Sequence, residues 1–287
     1  MTGGRITKGV GGLYSVETER GARPCRPRGV FRNSGASPVV GDACTITEGE
    51  SGRIGSIESI GERKNELVRP RVSNVDLAAA VCAADRPNFF LLDKYLIILG
   101  EQADGDRFKI CVAINKTDLA DEGVLNEIKT IYGDAGYPVF FLSALTGDGI
   151  ENFSEYLRGK TTALAGVSGA GKSSIVNALT GRLSMEVGGL SRKTARGKHT
   201  TRHAELFALP GGGSVIDTPG FASLKFSGVS VGAFKKHFAE FARYADECRF
   251  SDCAHINEPG CAIRERTGGA ISASRYGNYL RFCGEAE

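Results

Sequence analysis

The chain has 287 residues, 41% of them hydrophobic, which is enough for two or three domains with packed cores. Its formal net charge of +3 excludes a polycation, so any contact with nucleic acid must come from local basic clusters. No apolar run approaches the roughly 18 residues of a membrane span, and eight cysteines without a secretory signal predict a cytoplasmic protein with no membrane partner.

Residues 1–70 lack helical periodicity, and short β-prone stretches alternate there with glycine turns. This pattern predicts a small all-β barrel. A run of arginines within it is almost free of acidic residues, and a small basic barrel is a fold that can bind oligonucleotides. The same arginines on a solvated loop would serve only solubility, so the pattern leaves both interpretations open. The stretches are 13–16, 39–40, 43–46 and 53–60, and the arginines are Arg20, Arg23, Arg26, Arg28 and Arg32.

Beyond a predicted junction at Arg69-Pro70, strands and helices alternate. Such alternation predicts a parallel sheet with helices on both faces, so residues 71–225 form one predicted α/β domain. The predicted strands are 77–83, 108–114, 139–142, 161–165, 205–208 and 214–216, and the predicted helices are 89–99, 125–135, 150–157 and 174–179.

The strand at 108–114 is followed by Asn115-Lys-Thr-Asp118. An Asn-Lys-x-Asp turn in this position can direct the aspartate at the N1–H and 2-amino groups of guanine, a donor pair that adenine lacks. Each charge-assisted hydrogen bond contributes about 1.5–3 kcal/mol. Asn115 and Lys116 would support the loop and cover the base. After the next strand, Ser143-Ala144-Leu145 is similar to the Ser-Ala-Lys element whose backbone contacts the guanine carbonyl. The predicted base-binding residues are Asn115, Lys116, Thr117, Asp118, Ser143 and Ala144.

Residues 166–174 fit the phosphate-binding pattern G-x-x-x-x-G-K-[ST] between a predicted strand and a predicted helix. Glycines let the backbone approach the phosphates, and the helix N-terminus adds positive partial charge. Lys172 would reach the β- and γ-phosphates as a catalytic residue, and the Ser173 hydroxyl would ligate Mg²⁺. The loop therefore predicts binding of a nucleoside triphosphate. Its residues are Gly166, Val167, Ser168, Gly169, Ala170, Gly171, Lys172, Ser173 and Ser174.

Two switch segments follow the phosphate loop. Asp217-Thr-Pro-Gly220 comes after the strand at 214–216; Asp217 would hold Mg²⁺ through water, and the Gly220 amide would sense the γ-phosphate. Before it, either Thr200 or Thr201 would complete the Mg²⁺ site, and we favour Thr201. The base-reading motifs thus precede the phosphate loop, the reverse of the usual GTPase order. A sheet tolerates such a permutation if the original termini lie close together.

The first switch lies in a strongly basic stretch, residues 182–203, with six Lys/Arg residues and one acidic residue. A flexible cationic segment can contact RNA phosphates and become ordered with GTP. A solvated loop would show the same charge pattern, so this choice stays open. The basic residues are Arg182, Arg192, Lys193, Arg196, Lys198 and Arg202.

Around residue 228 the pattern changes again, and residues 226–287 are predicted to form an α-helical domain. Ser230 could cap a helix with an apolar face, and a final helix would run from about 272 to 283. The apolar face comprises Phe234, Phe238, Phe241 and Ala245.

A cysteine-rich loop separates the two predicted helices. Cys248, Cys253, His255 and Cys261 form a Cys₃His set suited to one tetrahedral Zn²⁺. All four positions would be taken by protein ligands, so the ion would be structural. Buried free cysteines are the alternative. Cys283 is too distant in sequence to be assigned a role.

Taken together, these residues resemble the circularly permuted, small-ribosomal-subunit-dependent GTPases, the RsgA (YjeQ/YloQ) family, over nearly the whole chain. The resemblance implies an N-terminal OB-fold barrel, a central permuted GTPase and a C-terminal zinc domain. It also implies a late role in maturation of the small (30S) subunit, which stimulates hydrolysis. The supporting segments are 38–42, 63–65, 69–70, 168–174, 217–221 and the cysteine loop. Two departures are Lys198 and Arg202, where arginine and threonine are common, and a third is Ala170, where valine is common.

Phe221 occupies the position at which many GTPases carry a water-orienting glutamine. A phenylalanine cannot hold water by hydrogen bonds, and the resemblance assigns that task to His199. A neutral imidazole could accept a proton from the attacking water. From the residues alone, His199 could equally contact RNA or solvent.

Two functional hypotheses follow. The first is a GTPase that binds the small ribosomal subunit and its rRNA. Whether GTP or GDP is bound would determine when it binds the subunit and when it leaves. The second is an RNA-binding assembly protein that keeps GTP as a structural ligand. No pattern indicates an obligate dimer, so we expect a monomer.

Overall fold

The computed structural model describes residues 1–29, 31, 37–49, 53–68, 71–102, 108–181, 203–219 and 231–285. Within these ranges, no helix combines the length and apolar character needed to cross a membrane. Predictions that concern residues 182–202 and 220–230, together with Arg32 and Arg69-Pro70, lie outside the described residues.

The N-terminal region is a closed five-stranded barrel, which confirms the predicted OB-type fold. Its strands follow the order β1-β2-β3-β5-β4, and β4 pairs back onto β1. The β3–β5 pair is parallel and the other pairs are antiparallel, as in a Greek-key barrel. The strands are β1 (Thr2–Val10), β2 (Leu13–Thr18), β3 (Gly21–Pro27), β4 (Ala43–Thr47) and β5 (Gly55–Ile60).

Alternating side chains of these strands fill the barrel core, where Ile6, Val16, Cys25 and Ile57 are fully buried. The sequence did not predict β1 or β3, because glycines in the former and Pro24 in the latter lower the β-propensity. The expected strand at 39–40 was wrong: among the described residues around it, only Val40 forms a bridge, to Val72.

The described arginines of the run, at positions 20, 23, 26 and 28, lie on β3 or directly next to it. Arg23 pairs with Glu48 (Nε–Oε2, 3.2 Å) and Arg28 with Glu58 (Nη1–Oε2, 2.8 Å). These ion pairs offset part of the positive charge that the sequence pattern suggested.

A hairpin of β6 (Glu66–Val68) and β7 (Arg71–Ser73) leads out of the barrel. Fully buried Asp42 accepts hydrogen bonds from the Val39 amide (2.8 Å), from Nε and Nη2 of Arg63 (2.7 Å each) and from Ser73 Oγ (2.6 Å). Asp42 and Arg63 therefore connect a barrel loop to the hairpin, which gives a structural reason for two segments that carried the family resemblance. The proposed boundary at residue 70 falls between β6 and β7 and stays a prediction.

The central region is a sheet in the order β10-β9-β8-β11-β13-β12, parallel except for β12. Helices pack on both of its faces and form two apolar cores, which confirms the predicted α/β architecture. The strands are β8 (Leu77–Ala83), β9 (Lys109–Asn115), β10 (Val139–Phe141), β11 (Thr161–Gly166), β12 (Glu205–Ala208) and β13 (Ser214–Asp217). The helices are α1 (Phe89–Glu101), α2 (Glu122–Asp134), α3 (Ile150–Leu157) and α4 (Lys172–Thr180).

The barrel and the central sheet are continuous. β12 pairs with β13 along one edge and with β1 of the barrel along the other, where Lys8 lies opposite Glu205. Their side chains form an ion pair with an Nζ–Oε2 distance of 2.7 Å. The result is a single sheet of 11 strands that runs through both regions.

The C-terminal region consists mainly of short helices around an aromatic cluster. The single helix expected around residues 230–245 was wrong: Phe238 adopts φ −109° and ψ 74°, which separates two short helical segments. Three of the four predicted apolar side chains are nevertheless core, since Phe234, Phe238 and Phe241 are at most 2% exposed, whereas Ala245 is only half-buried. The elements are α5 (Val231–Phe234), α6 (Ala239–Ala242), α7 (Ala262–Glu265) and α8 (Ala273–Glu285), with 3-10 turns at Lys235–His237 and Ala245–Glu247.

A buried charge network joins α1 to the C-terminal region. Arg275 on α8 is 1% exposed and donates from Nη1 to Asp93 Oδ1 on α1 at 2.5 Å. Its Nε and Nη2 donate to the carboxylate of Glu240, the latter at 3.2 Å. Asn278 Nδ2 donates to the other oxygen of Asp93 at 2.7 Å. These hydrogen bonds hold α1 against the C-terminal region without access to water.

Candidate nucleotide site and metal centre

The phosphate loop has the backbone that its glycines predict. Gly169 and Gly171 have φ values of +87° and +89°, in the left-handed region. A Cβ on Gly166 would lie 2.4 Å from the carbonyl oxygen of Val81, and one on Gly171 would lie 2.1 Å from Asn115 Nδ2. Glycine is therefore required at residues 166 and 171 by close contact with the ends of β8 and β9.

Lys172 lies at the start of α4, and its side chain folds over the loop. Its Nζ donates to the carbonyl oxygens of Gly166 (2.8 Å) and Val167 (3.0 Å). Burial lowers the pKa of Lys172, while the nearby carboxylate of Asp217 opposes that shift. The ammonium group is thus a partly desolvated cation inside the predicted phosphate site, where it would interact strongly with an anion.

The predicted Mg²⁺ ligands from two different elements meet. Ser173 Oγ donates to Asp217 Oδ2 at 2.6 Å, although the two residues are 44 positions apart in sequence. A hydroxyl and a carboxylate are the hard oxygen donors that Mg²⁺ prefers, so the donor set fits that ion. Next to Asp217, the buried Thr218 hydroxyl donates to the carbonyl oxygen of Leu164 and ties this segment to β11.

Asn115 connects the base-reading turn to the phosphate loop. It is 2% exposed, and its Nδ2 donates to the carbonyl oxygen of Ala170 at 3.0 Å. Its Oδ1 accepts from the amide of Ala144 at 3.1 Å. The side chain of Asn115, in the base-reading turn, therefore contacts both the phosphate loop and the Ser143-Ala144 element. All three motifs lie together at the carboxyl ends of β9, β10 and β11.

Asp118 lies on an exposed 3-10 turn that begins at Thr117. Buried Ser143 donates from Oγ to Asp118 Oδ1 at 2.6 Å, and the Thr117 amide donates to the carbonyl oxygen of Leu142 at 3.1 Å. The Asp118 carboxylate is thus oriented by a neighbouring loop and remains exposed to solvent, as a base-reading group must be. Leu145, where the similar element carries lysine, is 83% exposed.

A cavity of about 250 Å³ adjoins the phosphate loop. Its lining includes Lys116 and residues 167–170, which the sequence motifs predicted as nucleotide-binding residues. The lining also includes residues from the end of β8 to the start of α1, which no motif had indicated. The available signal was the position of Asp85, Arg86 and Asn88 directly after a predicted parallel strand, since ligands bind at that edge of such sheets. His199, Thr200, Thr201 and Gly220 lie outside the described residues, and their roles stay predictions.

The four predicted metal ligands are brought together in the C-terminal region. The ligand atoms of Cys248, Cys253, His255 and Cys261 all lie within 4.8 Å of one another. Two of the sulfur atoms, those of Cys248 and Cys261, are each 3.6 Å from His255 Nδ1. The edge of a tetrahedron around Zn²⁺ with Zn–S bonds of about 2.3 Å is about 3.8 Å, so the cluster fits that ion. Burial lowers the pKa of His255 and favours the neutral imidazole that a metal requires.

The surrounding side chains support the metal loop, and the sequence did not identify them. The Glu258 carboxylate accepts from the amides of Ala254 (2.8 Å), Ile256 (2.9 Å) and Asn257 (3.0 Å). Tyr276 Oη donates to the carbonyl oxygen of His255 at 2.9 Å. An acidic residue between two cysteines of such a loop is the signal that could have indicated Glu258, because a carboxylate readily accepts hydrogen bonds from a tight turn.

Comparison with known proteins gives matches over nearly the full chain. The family model for the RsgA GTPase matches residues 60–227, and the one for the RsgA N-terminal domain matches residues 3–57. The chain belongs to the RsgA family.

Relatives named "small ribosomal subunit biogenesis GTPase RsgA" occur in Clostridium beijerinckii and Agathobacter rectalis. The first is 43% identical over 282 residues, 97% of this chain and 95% of the relative. The second is 42% identical over 291 aligned positions, 96% of this chain and 95% of the relative. The RsgA assignment therefore extends to the whole three-part architecture.

Two solved structures share this architecture. YjeQ from Thermotoga maritima is 35% identical, with a TM-score of 0.75 over 99% of this chain and 98% of that one. YloQ, described as a circularly permuted GTPase, is 32% identical, with a TM-score of 0.73 over 100% of this chain and 95% of that one. In the present RsgA chain, β11 lies between β8 and β13. The permuted chain order therefore still places the Asn115 and Asp217 strands on opposite sides of the phosphate-loop strand.

Proposed function

We propose that this protein is a GTPase that binds the small ribosomal subunit and hydrolyses GTP during late maturation of that subunit. The observation that carries the proposal is the pair of Asn115 hydrogen bonds, which brings the guanine-reading turn and the phosphate loop to one edge of the sheet. The names of the relatives supply the biological context.

Guanine recognition is assigned to Asp118, with Ser143 as the group that orients its carboxylate. The carboxylate would accept from N1–H and the 2-amino group of the base, which ATP cannot offer. The amide of Ala144 donates to Asn115 Oδ1, so Ala144 supports the loop. Its expected contact with the guanine carbonyl stays a prediction.

Hydrolysis is assigned to charge stabilisation and water positioning. Lys172 would neutralise charge on the β- and γ-phosphates, and Ser173 and Asp217, together with Thr201, would hold Mg²⁺. Mg²⁺ held by these oxygen ligands would offset the negative charge that develops on the phosphates. His199 would accept a proton from the attacking water, and contact with the ribosomal subunit would place it there. We therefore propose slow hydrolysis by the free protein and faster hydrolysis with the subunit.

The remaining assignments complete the proposal. The Cys₃His cluster would hold one structural Zn²⁺ because all four tetrahedral positions are filled by protein. The barrel and the basic segment 182–202 would contact rRNA phosphates. We propose a monomer that acts in the cytoplasm.

Replacing His199 with alanine is expected to lower subunit-stimulated hydrolysis about 100-fold, because the water loses its general base. The Kd for GTP should change by less than about twofold, because His199 would act on the attacking water and not on the bound nucleotide. The measurement is single-turnover GTP hydrolysis with and without purified small subunits. His203→Ala removes the neighbouring imidazole as a control, and Lys172→Ala gives the background rate.

Stimulated hydrolysis that is unchanged in His199→Ala would remove this residue from the mechanism. If small subunits do not raise the rate of GTP hydrolysis by the wild-type protein, the second hypothesis is favoured, in which GTP is a structural ligand of an RNA-binding protein.

A further inference from the structure

Two charged side chains of opposite sign face each other in the cavity beside the phosphate loop. Lys116, from the base-reading turn, and Asp85, from the segment after β8, both line it together with residues 167–170. Lys116 Nζ lies 3.5 Å from Asp85 Oδ1, and the two side chains are 35% and 27% exposed. The carboxylate is therefore placed to hold the ammonium group within the cavity beside the phosphate loop.

The backbone fixes both partners of this pair. Lys116 has φ +64°, a left-handed conformation that is uncommon for a residue with a Cβ. The Ala84 amide donates to the carbonyl oxygen of Asn115 at 2.7 Å, so the residue before Asp85 is bonded to the residue before Lys116. On the other side, Asn88 caps α1 by accepting from the Leu91 amide at 3.0 Å. The separation of residues 85 and 116 is thus set by the sheet and by the helix cap.

A lysine side chain is a flexible four-carbon stem with a compact charge at its end. For the stem of Lys116 to cover a base held by Asp118, the ammonium group must be held away from the phosphates, which would otherwise attract it. Asp85 supplies that restraint through its ion pair with Lys116. The other charged group of the segment, Arg86, cannot do so because it carries the same sign as Lys116.

We propose that Asp85 is a positioning residue for guanine-nucleotide binding and acts by orienting Lys116. This inference rests on the proposed function, since it assumes that Asp118 reads guanine. It assigns to the segment after β8 a role in nucleotide affinity that none of the sequence motifs identifies.

The test is a double-mutant cycle on GDP affinity, measured by calorimetric titration of the full-length protein with GDP and Mg²⁺. Asp85→Asn is expected to raise the Kd for GDP about two- to fivefold, as expected for a partly exposed ion pair. Asp85→Asn added to Lys116→Met should have no further effect, because the group that it orients is already gone. Asp85→Glu should restore part of the affinity.

The sign of the effect separates positioning from simple electrostatics. Removing a negative charge near an anionic ligand would by itself tighten binding. Asp134→Asn, at an exposed position at the end of α2, controls for loss of net charge and should leave the Kd unchanged. Unchanged or tighter binding in Asp85→Asn, or an equal effect of this change with and without Lys116, would overturn the inference.

The wild-type protein, titrated with GDP and with ADP, distinguishes this inference from the proposed function. If the wild type binds GDP selectively and Asp85→Asn leaves the Kd for GDP unchanged, only the role of Asp85 is contradicted. Equal affinity for GDP and ADP would contradict both.

Discussion

Replacing Cys253 with serine is expected to release one zinc ion per chain and to unfold the C-terminal region. Three of the four residues of the Cys₃His cluster are at most 4% exposed, and the loop that carries them contains no helix or strand. Structural Zn²⁺ contributes an apparent free energy of about 10–16 kcal/mol in small zinc peptides at neutral pH, so the loss of one ligand is severe. Elemental analysis by plasma mass spectrometry and limited proteolysis of the purified chain would measure both effects.

Cys283→Ser is the matched control for that variant. Cys283 is 4% exposed in the same region but does not belong to the Cys₃His cluster. We expect it to keep one zinc per chain with at most a small loss of stability. A stoichiometric zinc content in Cys253→Ser would contradict the assignment of Cys253 as a ligand.

Replacing Arg275 with methionine is expected to lower the free energy of unfolding by about 3–5 kcal/mol, because it leaves buried carboxylates without a counter-ion. Burial alone would lower the pKa of Arg275, but Asp93 and Glu240 raise it, so the guanidinium stays charged. Both carboxylates would then lie in a region of low dielectric with no positive partner. Chemical denaturation monitored by circular dichroism is the measurement.

Two further variants test whether the charge network is the cause. Arg281→Met, on the same helix, removes an exposed guanidinium that stacks 3.8 Å from the ring centroid of Phe90, and should cost at most about 1 kcal/mol. Adding Asp93→Asn and Glu240→Gln to Arg275→Met should recover part of the lost stability. Equal losses for Arg275→Met and Arg281→Met would contradict a special role for the buried network.

Local patterns were sufficient to predict most of the central sheet and the metal loop. β8, α3 and β12 begin and end at the expected residues. Each is an apolar or amphipathic stretch bounded by turn residues, and both signals lie within a few positions of the element. The Asn115 and Lys172 motifs and the Cys₃His spacing are likewise contiguous or nearly so. A short sequence window is enough to recognise such features.

Other features depend on contacts between distant parts of the chain. β1 contains three glycines and forms a strand because β2, β4 and β12 pair with it, which its own propensity does not indicate. The helix predicted around residues 230–245 is interrupted, and its three phenylalanines share a core with Tyr276, Tyr279 and Phe282 of α8. The Asp93–Arg275 pair is separated by 182 residues, and no local pattern could reveal it.

The continuity of the 11-stranded sheet also limits how the molecule can be divided. β12 has β13 on one side and β1 on the other, so a fragment beginning after residue 70 would present the unpaired backbone amides and carbonyls of β12. Unpaired strand edges promote association between copies. A fragment ending near residue 225 would in addition expose the carboxylate of Asp93 and the apolar side of α1. Enzymology on the excised central segment would therefore describe an altered surface, and the intact chain is the appropriate unit for kinetic work.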